Sequence, residues 1–105
     1  MFLCLMAAQL AHGGDERQLA LELAKSTGAL MGAARACHLE RLEVYEAKVK
    51  TRLGQFYLRE EDKKILGQIF QTQANLAERD QLRTRSPSCE EVRRVYEQQP
   101  FWKEN

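Results

Sequence analysis

An all-α fold, a small bundle of about four helices, is the fold class that this sequence predicts. Good helix formers (Leu, Ala, Glu, Gln, Lys and Arg) dominate the middle of the chain, and the only prolines, Pro87 and Pro100, lie near its end. Apolar residues recur at intervals of three and four in four successive segments, the spacing of a helix face. No Asn-Gly or Asp-Gly turn and no alternating β-branched run indicates a sheet. The length of 105 residues suits one small domain, which we assign to residues 15–105.

Residues 1–14 form an apolar segment ahead of this domain. Met1 to Ala11 are almost entirely apolar, and the acidic and basic residues begin at Asp15. A secretory signal peptide has an apolar stretch of this kind followed by small residues, but no Lys or Arg precedes it here and no Ala-x-Ala cleavage site follows. We interpret the segment as the remnant of a truncated signal peptide, with an extra apolar helix packed on the bundle as the alternative. It is shorter than the about 20 apolar residues that a transmembrane helix needs, so no stable membrane span is predicted.

The first long helix is predicted from about Glu16 to Cys37. Asp15 is expected to cap its N-terminus, and Leu19 begins an apolar stripe that continues to Cys37. Each interior glycine of a helix costs about 1 kcal/mol relative to alanine, so we expect the close approach of a second helix to compensate. That helix belongs either to the same bundle, which we favour, or to a second copy of the chain. The small residues that would form this helix-packing groove are spaced by four: Ala24, Gly28, Gly32 and Ala36.

Two further helices make up the middle of the bundle. The second is predicted over residues 39–57, with an apolar stripe that includes Leu39, Tyr45 and Val49. Residues 58–62 are expected to form a turn into the third helix, which continues to the break at residues 85–88. The apolar face of the third helix is expected to comprise Ile65, Leu66, Ile69, Phe70, Gln73, Leu76 and Ala77.

The last helix is predicted over residues 89–98. Ser88 and Glu91 have the spacing of a capping box, and Pro87 fits just before the start of a helix. The tail carries Phe101 and Trp102, and two large aromatic side chains in such a position are expected to dock back on the core.

Cys37 and Cys89 are the most informative pair of residues in the sequence. Each lies on the apolar stripe of its own helix, so both are expected to point inward, toward each other. Removal of Cys4 with the N-terminal segment would leave an even number of cysteines, which favours a disulfide. Such a bridge would close a loop of about 50 residues and contribute on the order of 4 kcal/mol. The alternative is two reduced thiols that pack as small hydrophobic side chains in a cytosolic protein.

Catalytic and metal-binding chemistry is weakly signalled. A redox-sensing thiolate at Cys89 would lie at a helix N-terminus, but there is no Cys-x-x-Cys motif, and Glu90 and Glu91 oppose the negative charge. The sequence contains no Gly-rich phosphate loop and no Gly-x-Ser-x-Gly motif. We therefore expect no catalytic residue, no metal and no cofactor. Two groups lack the spacing of a zinc site: Cys37 with His38, and His12 with Asp15 and Glu16.

The charge balance gives no reason to expect nucleic acid as a partner. The formal net charge is +1, so no strong field would attract a polyanion. The basic residues near the end of the third helix are interrupted by Asp80 and lack interleaved aromatic residues.

The run from Gly28 to Cys37, and Ser86-Pro87-Ser88-Cys89 before a short last helix, resemble small exported all-helical bacterial proteins of unknown function with two cysteines. The resemblance implies a periplasmic or secreted location and carries no activity with it. We therefore expect a non-enzymatic structural or protein-interaction module whose partner is another protein or a second copy. The alternative is a cytoplasmic interaction module with free thiols, and the third possibility is a thiol-based redox sensor that uses Cys89.

Overall fold

The fold is all-α, which confirms the predicted bundle of about four helices. A computed structural model of the chain describes residues 13–103. No strand occurs among these described residues. Predictions for residues 1–12, including the signal remnant and Cys4, lie outside them. The elements are α1 (Gly13–Ala36), α2 (Leu42–Leu53), α3 (Glu60–Thr84), α4 (Cys89–Glu97) and a 3-10 helix (Pro100–Lys103).

The two long helices, α1 and α3, run parallel to each other. Arg17 pairs with Asp62 at 3.2 Å near the start of both helices, and Arg35 pairs with Glu78 at 3.0 Å toward their ends. Residue numbers therefore increase in the same direction along both helices. The shorter α2 is the connection that returns the chain to the end at which α3 begins.

The small residues of α1 lie where it approaches α3. A Cβ atom added to Gly32 would lie 2.1 Å from the carbonyl oxygen of Ala74, and one added to Gly28 would lie 2.6 Å from that of Phe70. Real Cβ atoms essentially never come within 3.0 Å of such atoms, so only glycine permits this approach. The surface that packs here belongs to α3 of the same chain. The helix-packing groove also includes Ala24, which is fully buried, and Ala36, which is half-buried.

The core lies where α1, α2, α3 and the C-terminal elements meet. The helix α1 packs against each of the other three α-helices, and α2 also contacts the 3-10 helix. The largest fully buried side chains are Tyr45 and Val49 from α2 and Phe70 from α3. Burial of each such side chain contributes about 1.5–3 kcal/mol to folding.

The start of α1 and the limits of α2 differ from the prediction. The helix α1 begins at Gly13, so Asp15 lies inside it rather than at its cap. The helix α2 begins at Leu42 rather than residue 39, because His38 and Arg41 have left-handed backbone conformations with φ of 57° and 62°. It ends at Leu53 rather than residue 57, since Gly54 caps the helix and the chain turns.

Three residues assigned to apolar stripes are largely exposed. Leu19, Ile65 and Leu76 are 55%, 49% and 48% exposed, so placing them in the core was wrong. The buried face of α3 is a narrower row centred on Leu66, Phe70 and Ala74, and the other apolar residues flank it. The row is continued by a polar residue, Gln81, which is only 6% exposed.

The predicted features of the C-terminal part are confirmed. The backbone N–H of Glu91 donates to the hydroxyl oxygen of Ser88 at 3.2 Å, which caps α4. Phe101 is 3% exposed and Trp102 packs against the core cluster, so the aromatic tail docks as expected. The aromatic tail up to residue 103 is therefore part of the folded domain.

Candidate interaction site beside the disulfide

The two predicted cysteines meet at one end of the bundle. The Sγ atoms of Cys37 and Cys89 lie 2.10 Å apart and their Cα atoms 5.5 Å apart, across 52 positions of sequence. Cys37 directly follows α1, and Cys89 is the first residue of α4. The expectation that both point inward is wrong, because Cys37 is half-buried and Cys89 is exposed. Cys89 does share a stripe with the buried Val92 and Tyr96, but it lies at the outer end of α4.

The chain leaves α1 through a Schellman turn, a helix-ending motif. The N–H of His38 donates to the carbonyl of Arg35 at 3.1 Å, and the N–H of Leu39 donates to that of Ala34 at 3.0 Å. His38 occupies the left-handed position that glycine usually takes. A non-glycine residue in this conformation costs on the order of 1–2 kcal/mol. The turn therefore has a defined shape that its sequence does not signal.

Four aromatic side chains form a cluster behind this turn. Tyr45 lies 5.2, 5.8 and 5.7 Å from the rings of Tyr96, Phe101 and Trp102, measured between centroids. The rings of Tyr96 and Trp102 meet edge to face at 5.2 Å. Such pairs contribute about 0.5–1.5 kcal/mol beyond the area they bury. The cluster fixes the C-terminal elements on α2.

The polar atoms of the cluster have hydrogen-bond partners. The Tyr96 hydroxyl donates to the carbonyl of Glu40 at 2.7 Å, and Trp102 Nε1 donates to the carbonyl of Tyr96 at 2.6 Å. Burial is the largest cause that raises the pKa of Tyr96 to about 12. Burial, with a smaller contribution from the neighbouring Tyr96, also raises the pKa of Tyr45. Both phenols therefore stay neutral near pH 7 and act as hydrogen-bonding groups.

A surface groove of about 480 Å³ lies between the turn and α4. One wall is the turn at residues 38–41, and the other is the face of α4 that carries Arg93 and Glu97. The Arg41 guanidinium lies 4.7 Å from the centroid of the Trp102 ring, a cation–π contact at one margin. The complete lining is His38, Leu39, Glu40, Arg41, Arg93, Tyr96, Glu97 and Trp102.

Several charged side chains of the groove are not neutralised by neighbours. Within residues 13–103, neither Arg93 nor Glu97 takes part in an ion pair, although other charges of α4 do, as in Arg94 with Glu91. Both side chains are exposed, as is Glu40 on the opposite wall. The groove therefore offers apolar, cationic and anionic groups side by side.

The remaining sequence-predicted candidates give no second site. The described part of the chain contains no group of three or more His, Cys, Asp or Glu side chains that could hold a metal ion. His12 lies outside the described residues, and the Sγ of Cys37 is bonded to Cys89. None of the helices in residues 13–103 combines the length and apolar character required to cross a bilayer.

Comparison with known proteins adds no relative. No protein-family model, no curated protein and no solved structure matches this chain. Sequence reasoning located the disulfide partners and the aromatic tail, but it missed the groove. The wall at residues 38–41 was assigned in part to a helix, since no Gly or Pro marks the turn.

Proposed function

We propose that this protein is a non-enzymatic, exported helical module that binds a segment of another protein in the groove beside the Cys37–Cys89 disulfide. The observation that carries the proposal is the composition of the groove. It combines a half-buried Trp102, the ring of Tyr96 and two arginines with carboxylates on both walls. Trp, Tyr and Arg are the residue types enriched among the energetically dominant positions of protein interfaces.

A peptide segment fits this groove better than a polyanion does. The positive charges of Arg41 and Arg93 equal in number the negative charges of Glu40 and Glu97, so the charges of these four side chains sum to zero. The wall on α4 presents Arg93 and Glu97 one helical turn apart, which suits a partner that carries an acidic and a basic residue in reach of each other. The ring of Trp102 supplies the apolar contact between them.

Export is the second part of the proposal, and it rests on the cysteines. Disulfides persist in oxidising compartments such as the bacterial periplasm and the extracellular space, and they are rare in the cytosol. Cys37 and Cys89 are placed to bond without any movement of the backbone. The apolar segment 1–14, read as a signal remnant, and the resemblance to exported bacterial proteins support the same location.

Site-specific photo-crosslinking in the organism of origin tests the binding role. A benzophenone amino acid at Glu97 faces the groove, and the same amino acid at Lys64 serves as the matched control. Lys64 is exposed on the first turns of α3, which lie beside the start of α1 and so at the opposite end of the bundle. We expect one protein adduct from position 97 and none from position 64.

A substitution within the groove tests whether the adduct depends on this site. Trp102→Ala should abolish the adduct formed from position 97 while the helical circular dichroism spectrum is kept. An adduct of identical yield in the Trp102→Ala variant, or the same adduct from position 64, would count against the groove. A dimer of the chain itself as the product would identify a second copy as the partner.

Thiol and N-terminal measurements test export independently. Mass spectrometry of the protein purified from its own organism should show no free thiol at Cys37 or Cys89. An intact Met1 together with two alkylatable thiols would contradict the exported form and would support the cytoplasmic alternative.

A further inference from the structure

We propose that the Cys37–Cys89 disulfide is a reducible clasp that controls the groove. A dithiol reductant opens the bond, loosens the two walls relative to each other and lowers the affinity of the site, while α1, α2 and α3 stay folded. The effect on affinity rests on the proposed binding function. The loosening of the walls does not, and it can be measured on the protein alone.

The position of the bond links it to both walls. Cys37 directly precedes His38, the first lining residue of the turn. Cys89 lies one turn before Arg93 on α4, the first lining residue of the other wall. One covalent bond therefore joins the two walls at one end of the groove. At the other end, the aromatic cluster around Tyr45 joins them without a covalent bond.

The first turn of α4 is weakly held without the bond. The helix has nine residues, fewer than the roughly 12–15 that an isolated helix needs to be even marginally stable. All residues from 82 to 91 are exposed, and only Val92 and Tyr96 of α4 are buried. The segment that precedes α4 is also held by the side chain of Gln81, whose N–H donates to the carbonyl of Pro87 at 2.6 Å.

The opposite wall is held in an unfavourable backbone conformation. His38 and Arg41 both have positive φ, and neither is a glycine. Strained positions of this kind persist when the surrounding structure constrains them. Besides the two hydrogen bonds of the Schellman turn, the disulfide at Cys37 and the hydrogen bond from Tyr96 to Glu40 constrain the chain on either side of His38. Reduction removes the disulfide.

The bond is accessible to a reductant. As whole residues, Cys89 is exposed and Cys37 is half-buried, so the proposed attack of an external thiolate is at Cys89. Attack there forms a mixed disulfide at Cys89, and the S–S bond breaks so that Cys37 leaves as a thiolate and takes up a proton. The second thiol of the dithiol then attacks its own sulfur in the mixed disulfide and releases Cys89. The protein disulfide gains two electrons and becomes two thiols, and the dithiol becomes a disulfide.

Amide hydrogen exchange of the full chain in oxidised and reduced form tests the clasp. A Cys4→Ser background prevents thiol shuffling, and Cys37→Ser with Cys89→Ser in the same background serves as the control that a dithiol cannot change. Residues 45–53 and 66–74 belong to the core and exchange by global unfolding, so they report only the lower global stability of the reduced protein. On reduction we expect exchange over residues 37–42 and 89–93 to accelerate by about tenfold or more beyond the acceleration over residues 45–53 and 66–74. The double variant should match the reduced protein with and without dithiothreitol.

Three outcomes would overturn the proposal. Equal acceleration in all helices would mean that the bond only adds global stability. Complete unfolding on reduction would give the same uniform result. Unchanged exchange at residues 37–42 and 89–93 would mean that the walls are held by other contacts.

The crosslinking assay separates the clasp from the binding function. In the organism of origin, the adduct from position 97 should fall by about threefold or more when both cysteines are serine. Equal yield from the two forms would overturn control of affinity by the disulfide. Absence of any adduct from the oxidised protein would contradict the binding function, and the exchange data would still decide whether the clasp opens.

Discussion

Gly32 gives the sharpest test of how the bundle is packed. In Gly32→Ala, the new Cβ atom would lie 2.1 Å from the carbonyl oxygen of Ala74, 2.8 Å from the backbone nitrogen of Glu78 and 2.9 Å from the carbonyl carbon of Ala74. Ordinary van der Waals contact begins at 3.4 Å. All three atoms belong to the backbone of α3, so no side chain can rotate away. The two helices must move apart over their closest contact.

The magnitude follows from two opposing effects. Alanine is favoured over glycine inside a helix by about 1 kcal/mol. Overpacking of a well-packed interior costs about 1–3 kcal/mol, and a clash with rigid backbone belongs at the upper end of that range. We therefore expect Gly32→Ala to lower the free energy of unfolding by about 2 kcal/mol. For a domain of this size that corresponds to a decrease in Tm of about 10 °C.

Gly67 and Gly28 provide matched controls. A Cβ atom at Gly67, also inside a long helix, would meet nothing within 4 Å, so Gly67→Ala should raise stability by about 1 kcal/mol. Gly28→Ala should fall between the two, because its closest contact is 2.6 Å from the carbonyl oxygen of Phe70. Urea unfolding of the three variants gives the order directly. A Gly32→Ala protein as stable as Gly67→Ala would refute the close approach of α1 to α3.

Three further predictions follow from the same contacts. Folding raises the pKa of Tyr96 from 10.0 to about 12, so the contribution of this residue to stability is complete below pH 10 and is lost as the pH rises toward 12. The Tm measured as a function of pH should therefore fall over that interval. The variant Tyr96→Phe should show a smaller decrease. Reduction of the Cys37–Cys89 bond should lower stability by about 4 kcal/mol, measured by urea unfolding with and without dithiothreitol, and an unchanged midpoint would contradict the crosslink. His38→Gly should raise stability by about 1 kcal/mol because it removes the left-handed cost, and a loss measured by thermal unfolding would show that the imidazole has a stabilising contact.

The helices were predictable because local spacing and composition determine them. Tyr45, Val49, Leu66 and Phe70 were assigned to apolar faces, and all four are buried. The cap of α4 was predictable for the same reason, since Ser88 acts on a backbone group three residues away. Where the helix pattern and the capping signals agree, short-range physics is sufficient.

The groove was not predictable, because it depends on a turn without a sequence signal. Left-handed residues are usually Gly or Asn, and here the positions are His38 and Arg41. The apolar stripe of Leu39 and Leu42 continues through the turn, so the period alone extends the helix too far. The exposure of Cys89 was missed for a related reason. Periodicity gives the direction of a side chain around the helix axis but not its position relative to the end of the core.

The parallel arrangement of α1 and α3 has a consequence for folding. The interface between α1 and α3 is the most extensive helix contact among the described residues. It is also nonlocal, because the ion pairs across it join residues that are 45 and 43 positions apart in the sequence. Neighbouring antiparallel helices can associate across a short loop, whereas this pair is connected by the longer segment that contains α2. Nonlocal contacts slow folding because the loop must close before they are gained. We expect this closure to be part of the folding barrier and the α1–α3 contact to be formed in the transition state, so that Gly32→Ala slows folding more than it accelerates unfolding in stopped-flow measurements. A mainly faster unfolding rate would mean that the contact forms after the transition state.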